Sequence, residues 1–100
     1  MIITWTDPAI ASLKAIEDYI SLDSEYYAKV VTERIINQVD KLEEFPSMGR
    51  VVPEYGKENI REVICLNYRI VYHLHSDSVV ILNIVHSSRA FRKAMEGNRD

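Results

Sequence analysis

The strongest constraint on the fold lies between Tyr68 and Arg89, where two β-rich runs flank the short polar turn Ser76-Asp77. Two such runs around a polar break predict a β-hairpin. In the first run, one set of alternate positions is apolar or aromatic, and the other carries a cation and two imidazoles. The two sets are Tyr68, Ile70, Tyr72 and Leu74 against Arg69, Val71, His73 and His75. Since strand side chains alternate between faces, one face of this strand should be apolar and the other cationic.

The second run, Val79 to Val85, is apolar at nearly every position. This pattern is typical of a strand that is covered on both faces, and it favours a central place in the sheet. The run ends in the polar cluster His86-Ser87-Ser88-Arg89. We therefore take the hairpin as the platform of the fold and Arg69, His86 and Arg89 as its first functional candidates.

The first half of the chain predicts two helices after a short opening strand, Met1 to Trp5. Thr6 and Asp7 precede Pro8, and a capping residue followed by proline marks a helix start, here of about 14 residues. A second helix should run from about residue 24 to 44 and end before Pro46. Its apolar stripe is expected to be core and consists of Tyr27, Val31, Ile35, Val39 and Leu42. Because few residues join the helices, they should form an antiparallel hairpin.

Residues 46–59 contain two of the three prolines and two of the three glycines and predict one long irregular loop. Ile60 to Leu66 predicts a further strand, joined tightly through Asn67 to the next. The element order is therefore β-α-α-β-β-β, an α+β fold with the helical hairpin packed on one face of a mainly antiparallel sheet. The helices should cover the apolar face of the Tyr68 strand. The other face should stay more open and present Arg69 on a concave surface.

Size and composition predict one domain spanning residues 1–100. The apolar share of 47% and the charged share of 27% are ordinary for a soluble chain, and no apolar run reaches the ~20 residues of a membrane span. One cysteine, Cys65, cannot form an internal disulfide, which favours the cytoplasm and a buried thiol. The net charge is −3, but it is uneven, with −5 on residues 1–48 and +2 on residues 49–100.

The chemistry-bearing residues form a set of cations and imidazoles, and neither their spacing nor any motif predicts a cofactor or a metal site. One or two helical turns are expected over Ala90 to Glu96, which would add Arg92 to this set. The set consists of Arg61, Arg69, His73, His86, Arg89 and Arg92. Such groups bind phosphate, and a histidine beside an arginine also suits RNA cleavage. The alternative is that Arg69 and Arg89 pair with local carboxylates or with an acidic partner.

At this point the chain resembles the RelE/ParE superfamily of toxins from type II toxin–antitoxin modules. The resemblance extends over most of the chain and rests on five segments that stand in the family's order. They are Phe45-Pro46-Ser47-Met48-Gly49-Arg50, Pro53-Glu54, Arg61-Glu62-Val63, Tyr68-Arg69-Ile70-Val71-Tyr72 and Val85-His86-Ser87-Ser88-Arg89. The element order also agrees with the superfamily fold.

The resemblance implies one of two activities. RelE-like members are ribosome-dependent mRNA endonucleases, which would make Arg69, His86 and Arg89 the catalytic set. ParE-like members poison DNA gyrase, which implies growth arrest and plasmid stabilisation, with Arg61, Arg69, His73 and Arg92 as target-binding candidates. The strand before Tyr68 offers Arg61 but no lysine pair, and no tyrosine follows Arg89, where Phe91 cannot donate a proton. These residues favour the ParE-like branch. A third possibility is an inactive member that keeps only antitoxin binding.

The resemblance further implies a cognate antitoxin, joined to the toxin in a hetero-oligomer. A largely disordered antitoxin segment should fold on the toxin, as a helix in a groove or a strand at a sheet edge. We expect the exposed apolar surface that receives it to lie along the helical hairpin and the sheet edge.

Overall fold

A computed structural model of the protein describes residues 1–88 and Met95. Within these residues, two α-helices and five strands follow one another. They are β1 (Ile2–Trp5), α1 (Asp7–Ser21), α2 (Glu25–Asp40), β2 (Arg50–Val51), β3 (Ile60–Cys65), β4 (Tyr68–Leu74) and β5 (Ser78–His86). Neither helix is long and apolar enough to cross a membrane. The predicted C-terminal helical turn, Ala90 to Glu96, lies outside the described residues apart from Met95.

Both helices begin where the capping residues predict. The hydroxyl of Thr6 accepts a hydrogen bond from the Ala9 amide at 3.3 Å and donates one to the Ile81 carbonyl at 2.7 Å. The cap therefore also fixes the start of α1 against β5. Ser24 caps α2 by accepting from the Tyr27 amide at 3.0 Å. This helix ends at Asp40, and a 3₁₀ turn, Lys41–Glu43, tightens the last residues of the segment that was predicted to be α-helical.

The sheet has the strand order β1-β5-β4-β3-β2, with β1 parallel to β5 and every other pair antiparallel. The predicted hairpin is confirmed as β4 and β5, and β5 has a strand on each side. Sequence analysis missed β2, which lies inside the stretch predicted to be irregular. A strand of two residues is too short to show an alternating pattern.

The helical hairpin covers the predicted face of β4, where Ile70 and Tyr72 are fully buried. From α2, the core receives Val31, Ile35 and Val39, followed by Leu42. The prediction that Tyr27 belongs to the core was wrong, because this residue is 52% exposed. Its neighbour Ala28 takes the inward position in that turn of the helix.

The other face of the sheet was predicted to be open, and this was wrong. Val71 is fully buried there together with Val52, and partly buried side chains pack against the pair. These are Ile60, Leu82 and Met95. The face is covered because the segment after β2 and Met95 pack onto it.

A β-bulge in β5 interrupts its pairing with β4. Val71 pairs with Asn83 and Tyr72 with Ile81, which leaves Leu82 as the extra residue. Asn83 is buried at the bulge, where its side-chain carbonyl accepts from the Ser12 hydroxyl at 2.5 Å and from the Ile84 amide at 2.8 Å. The extra residue moves every later side chain of β5 to the face opposite the one that an unbroken ladder would give.

Candidate functional site

Arg69 lies on β4 opposite Ile64 of β3 and points away from the helices. Its side chain is only 12% exposed, so the expected open presentation of this cation was wrong. The guanidinium donates through Nε to Glu62 and through both terminal nitrogens to Glu54, at 3.0 and 2.8 Å. The pair with Glu54 is bidentate, the strongest geometry between these groups. The alternative that Arg69 pairs with local carboxylates is therefore confirmed.

Glu62 is the buried centre of this network. Its side chain is inaccessible to solvent and accepts hydrogen bonds from Arg69 and from Arg50 Nε, the latter at 2.6 Å. Strand pairing places all three groups together, because Arg50 lies opposite Glu62 and Arg69 is on the adjacent strand. A buried carboxylate is tolerated only when it is paired and hydrogen-bonded. Glu62 meets this condition with two arginines.

The ion pair between Arg69 and Glu54 also keeps Glu54 charged. The hydrogen bond from Arg69 lowers the pKa of Glu54 to about 2. The same bond raises the pKa of Arg69. Both groups are therefore charged throughout the neutral range. We call Arg50, Glu54, Glu62 and Arg69 the charge network.

Arg61 is directed to the other face, beside Tyr72. It donates from Nη1 to the Gly49 carbonyl at 2.9 Å, while the Tyr72 hydroxyl donates to Pro46 at 2.7 Å and accepts from the Gly49 amide at 3.1 Å. Its Nε is buried and, within residues 1–88 and 95, has no hydrogen-bond partner. Arg61 and Tyr72 thus hold the turn before β2, and Arg61 does not join Arg69 on one surface.

Gly49 explains why this turn is so close to the sheet. A Cβ atom at this position would lie 2.6 Å from both the Glu62 carbonyl oxygen and the Tyr72 hydroxyl. Only glycine allows the backbone to approach this closely. The Pro46–Arg50 segment that contributes to the family resemblance is therefore a packing element that delivers Arg50 to Glu62.

His73, on β4, and His75, just after it, lie side by side. Their rings lie 4.0 Å apart, and His73 Nε2 is 2.8 Å from the Asn59 amide nitrogen. Burial, followed by the proximity of His75, lowers the pKa of His73. Across the part of the chain that the structure describes, no cluster of histidine, cysteine or acidic side chains could hold a metal.

His86 lies on the helix-covered face and pairs with Tyr68, whose ring it meets edge-on at 5.3 Å. Its Nδ1 accepts from the Ser88 amide at 3.1 Å. The imidazole lines a groove of about 570 Å³ beside Ser12, Ile16 and Tyr19 of α1. Burial raises the pKa of Tyr68 in the same groove.

The structure does not bring Arg69 and His86 together, because they lie on opposite faces of the sheet. The bulge at Leu82 is the physical reason. On the N-terminal side of the bulge, Val80 pairs with His73 and therefore lies on the face of Arg69. If β5 continued without an extra residue, strict alternation would place His86 on that same face. Arg89 and Arg92 lie outside the described residues. The catalytic and target-binding roles assigned to all these residues stay predictions.

Sequence reasoning missed Glu54 and Glu62 as the partners of Arg69, and Arg50 as the second partner of Glu62. Their only signal was membership of the segments that carry the family resemblance, since ion pairs between distant positions leave no periodic pattern. Pro53-Glu54 and Arg61-Glu62 are two of those segments.

Comparison with known proteins agrees with this architecture. The family model for the ParE toxin of the type II toxin–antitoxin system parDE matches residues 3–91. Toxin RelE2 of Caulobacter vibrioides is 33% identical over 88 residues, which cover 87% of this chain and 96% of the relative. A chain from the structure of the chromosomal ParDE TA system from P. aeruginosa is 25% identical and superposes with a TM-score of 0.72. That match covers 86% of this chain and 95% of the neighbour.

A helical hairpin on a five-stranded, mostly antiparallel sheet, together with these matches, defines a type II toxin of the RelE/ParE superfamily. Within that superfamily, the chain belongs to the ParE toxin family of type II toxin–antitoxin systems. The protein is therefore the toxin component of such a module, and its family implies an antitoxin as partner.

Proposed function

We propose that the protein arrests growth in the cytoplasm by binding DNA gyrase, without bond chemistry of its own, and that its antitoxin reverses this effect. The target comes from the ParE-like resemblance. The observation that supports binding over catalysis is the placement of Arg69, whose guanidinium is enclosed by Glu54 and Glu62 while His86 lies on the opposite face.

Cleavage of RNA requires a proton-transfer group and a cation that converge on one phosphate. In this protein two carboxylates already neutralise the Arg69 guanidinium. The His86 imidazole lies across the sheet and is engaged by Ser88. Among residues 1–88 and 95, no histidine belongs to the charge network, and His73, on the same face of β4, bonds to Asn59. This arrangement favours a binding protein.

The surface also suits a protein target. At the junction of α1 and α2, three large side chains stand in solvent, namely Tyr19, Leu22 and Tyr26. Exposed aromatic and aliphatic groups of this kind are typical of protein interfaces, where tyrosine is enriched. The acidic balance of residues 1–48 is unfavourable for contact with phosphates, which dominate binding to nucleic acid.

A supercoiling assay tests the proposal. Toxin freed of antitoxin is refolded and added to gyrase, relaxed plasmid and ATP. We expect blocked supercoiling, accumulation of cleaved DNA and reversal by antitoxin. A folded preparation that arrests growth but leaves gyrase unaffected would contradict the proposal. Arg69→Ala leaves the buried Glu62 with one arginine fewer, so the variant is first checked for a folded circular dichroism spectrum. A folded variant should inhibit gyrase only somewhat less than the parent, because a binding surface is spread over many residues.

The second candidate is a RelE-like mRNA endonuclease, and the name of the Caulobacter vibrioides relative, Toxin RelE2, favours it. This function predicts transcript cleavage in a translating extract, with Arg69→Ala and His86→Ala each abolishing it. Full toxicity of the double variant would exclude a catalytic role for both residues. Induction without antitoxin separates the inactive alternative, because an inactive member would leave growth unchanged.

A further inference from the structure

The sheet ends in an open edge at β1, which pairs with β5 on one side and with no described strand on the other. The Thr6 amide donates to the Ile81 carbonyl of β5 at 3.2 Å. Successive residues of a strand direct their backbone groups to opposite sides. The N–H and C=O groups of Ile3 and Trp5 therefore point away from β5. Within residues 1–88 and 95, no hydrogen bond engages these groups.

β1 also lacks the features that usually protect an open edge. Natural sheets shield such strands with lysine, proline or a β-bulge. The sequence of β1 is Ile-Ile-Thr-Trp, and its pairing with β5 is regular over the whole strand. Ile3 and Trp5 pack on the core, so alternation puts Ile2 on the opposite face, where it is 68% exposed. An unprotected edge beside an exposed isoleucine is a template for strand addition by another chain.

The surface beside this edge is acidic. The 3₁₀ turn Lys41–Glu43 contacts β1, and a groove of about 430 Å³ lies there between Met1 and the end of the helical segment. Three exposed carboxylates line it, those of Asp40, Glu43 and Glu44. Residues 1–48, which include this surface, carry nine acidic and four basic residues, or −5. Such a field attracts a cationic partner and repels an acidic one.

We propose that a basic, extended segment of the target protein adds a strand to β1. The backbone of this segment bonds to the outward groups of Ile3 and Trp5, an apolar side chain covers Ile2, and its lysines or arginines approach Glu43 and Glu44. An enzyme that acts on DNA carries cationic segments of this kind, because it must neutralise phosphates. The inference rests on the proposed function and names the surface through which the toxin binds its target.

Charge separates this occupant from a second copy of the chain. β1 has only four residues, so symmetric pairing of two β1 edges would bring the carboxylates of both copies to one short contact. Like charges that face each other disfavour such a contact. A basic strand meets no such opposition and neutralises the groove instead.

Proline at the open edge tests the strand addition. Ile3→Pro removes an outward N–H and places a ring on the edge, and edge strands tolerate proline where the N–H faces solvent. Ile3→Ala is the matched control, because it loses the same partly buried side chain and keeps the N–H. With both variants folded by circular dichroism, Ile3→Pro should inhibit gyrase supercoiling at least about tenfold more weakly than Ile3→Ala. Equal inhibition by the two variants would overturn the proposal.

Charge reversal tests the acidic groove. The double variant Glu43→Lys, Glu44→Lys should inhibit gyrase about tenfold more weakly, and the remaining inhibition should depend less on salt. Both side chains are exposed near the C-terminal end of the helical segment, where cations are favourable, so folding should be retained. The matched control is Glu33→Lys, Glu58→Lys, which makes the same charge change at exposed positions outside the groove and should inhibit as the parent does. A groove variant as potent as this control would contradict the proposal.

Hydrogen exchange gives a readout that needs no substitution. The Ile3 and Trp5 amides should exchange at least about tenfold more slowly in the toxin–gyrase complex than in free toxin. Protection by the co-purifying antitoxin rather than by gyrase would assign the edge to the antitoxin. Protection that rises with the concentration of free toxin would assign it to a second copy. Either result would overturn the proposal.

The experiments also separate this inference from the function on which it rests. If the parent toxin leaves gyrase unaffected, the proposed function fails and this inference fails with it. If the parent inhibits gyrase and Ile3→Pro inhibits it equally well, only the assignment of the β1 edge fails.

Discussion

The helix-covered face of the sheet and the opposite face bury their side chains by different means. On the first, Ile35 of α2 and Ile70 of β4 meet in an aliphatic core. On the second, Glu62 and Arg69 are buried as ions beside Val71. Aliphatic packing is non-directional, whereas a buried ion pair is favourable only with every partner in place. The second face should therefore be the more sensitive to the loss of one group.

The largest expected effect is that of Glu62→Ala, which leaves Arg69 buried without its inner carboxylate. Removing one partner of a buried ion pair costs about 3–5 kcal/mol. Urea unfolding monitored by circular dichroism measures the loss. Arg50→Gln is the comparison, since Arg50 bonds to the same carboxylate from an exposed side chain. Its loss should cost less, about 1–2 kcal/mol, because Arg69 still pairs with Glu62. If the double variant Glu62→Ala, Arg69→Ala lost more unfolding free energy than the two single variants lost together, the ion-pair account would fail.

Ile35→Ala tests the aliphatic face and should cost about 3 kcal/mol, because it removes a fully buried side chain and leaves a cavity. The next residue on the same helix provides the control. Ile36 is 39% exposed, and Ile36→Ala should cost less than about 1 kcal/mol. Equal losses in thermal unfolding of the two variants would mean that α2 does not pack by the face described.

Tyr72→Phe tests the contact between β4 and the turn before β2, where the Tyr72 hydroxyl bonds to Pro46 and Gly49. Leaving a buried backbone group without its partner costs about 1–2 kcal/mol. Tyr26→Phe, on the exposed hairpin junction, should be neutral in the same denaturation experiment. A neutral Tyr72→Phe would show that the Pro46–Gly49 turn is held without this hydroxyl.

Periodicity was sufficient to predict the helix-covered face. Spacing placed Ile35 and Val39 inward, and alternation placed Ile70 and Tyr72 beneath the helices. The first turn of α2 was the exception, because the spacing of apolar residues along a helix does not show how much of the helix the rest of the protein covers. Tyr27 continues the apolar spacing and is nevertheless in solvent.

The candidate site was far less predictable, for two physical reasons. Glu54 and Glu62 converge on Arg69 through the pairing of three strands, and β2, the shortest of them, has no sequence pattern of its own. The position of His86 depended on the single extra residue Leu82, which reverses the faces of the strand after it. A strand pattern fixes faces only as far as the first bulge.

The smallest expected effect concerns the exposed end of the charge network. Glu54 has a pKa of about 2 in the folded protein, against an ordinary value of 4.5. A carboxyl whose pKa is lowered by folding stabilises the fold above the unfolded pKa, and that contribution is lost as pH falls from 4.5 through 2. Because Glu54 is partly exposed, solvent screening should limit the contribution to less than about 1 kcal/mol.

Glu54→Gln should therefore reduce the acid-dependent loss of stability, whereas Glu58→Gln, the same change at an exposed position in the same loop, should preserve it. Unfolding in urea at several pH values between 5 and 2 gives the slopes, at about 0.5 pH intervals. Equal slopes for the two variants would show that the bond between Glu54 and Arg69 contributes nothing in solution, and the second face would then depend on Glu62 for its ionic stabilisation.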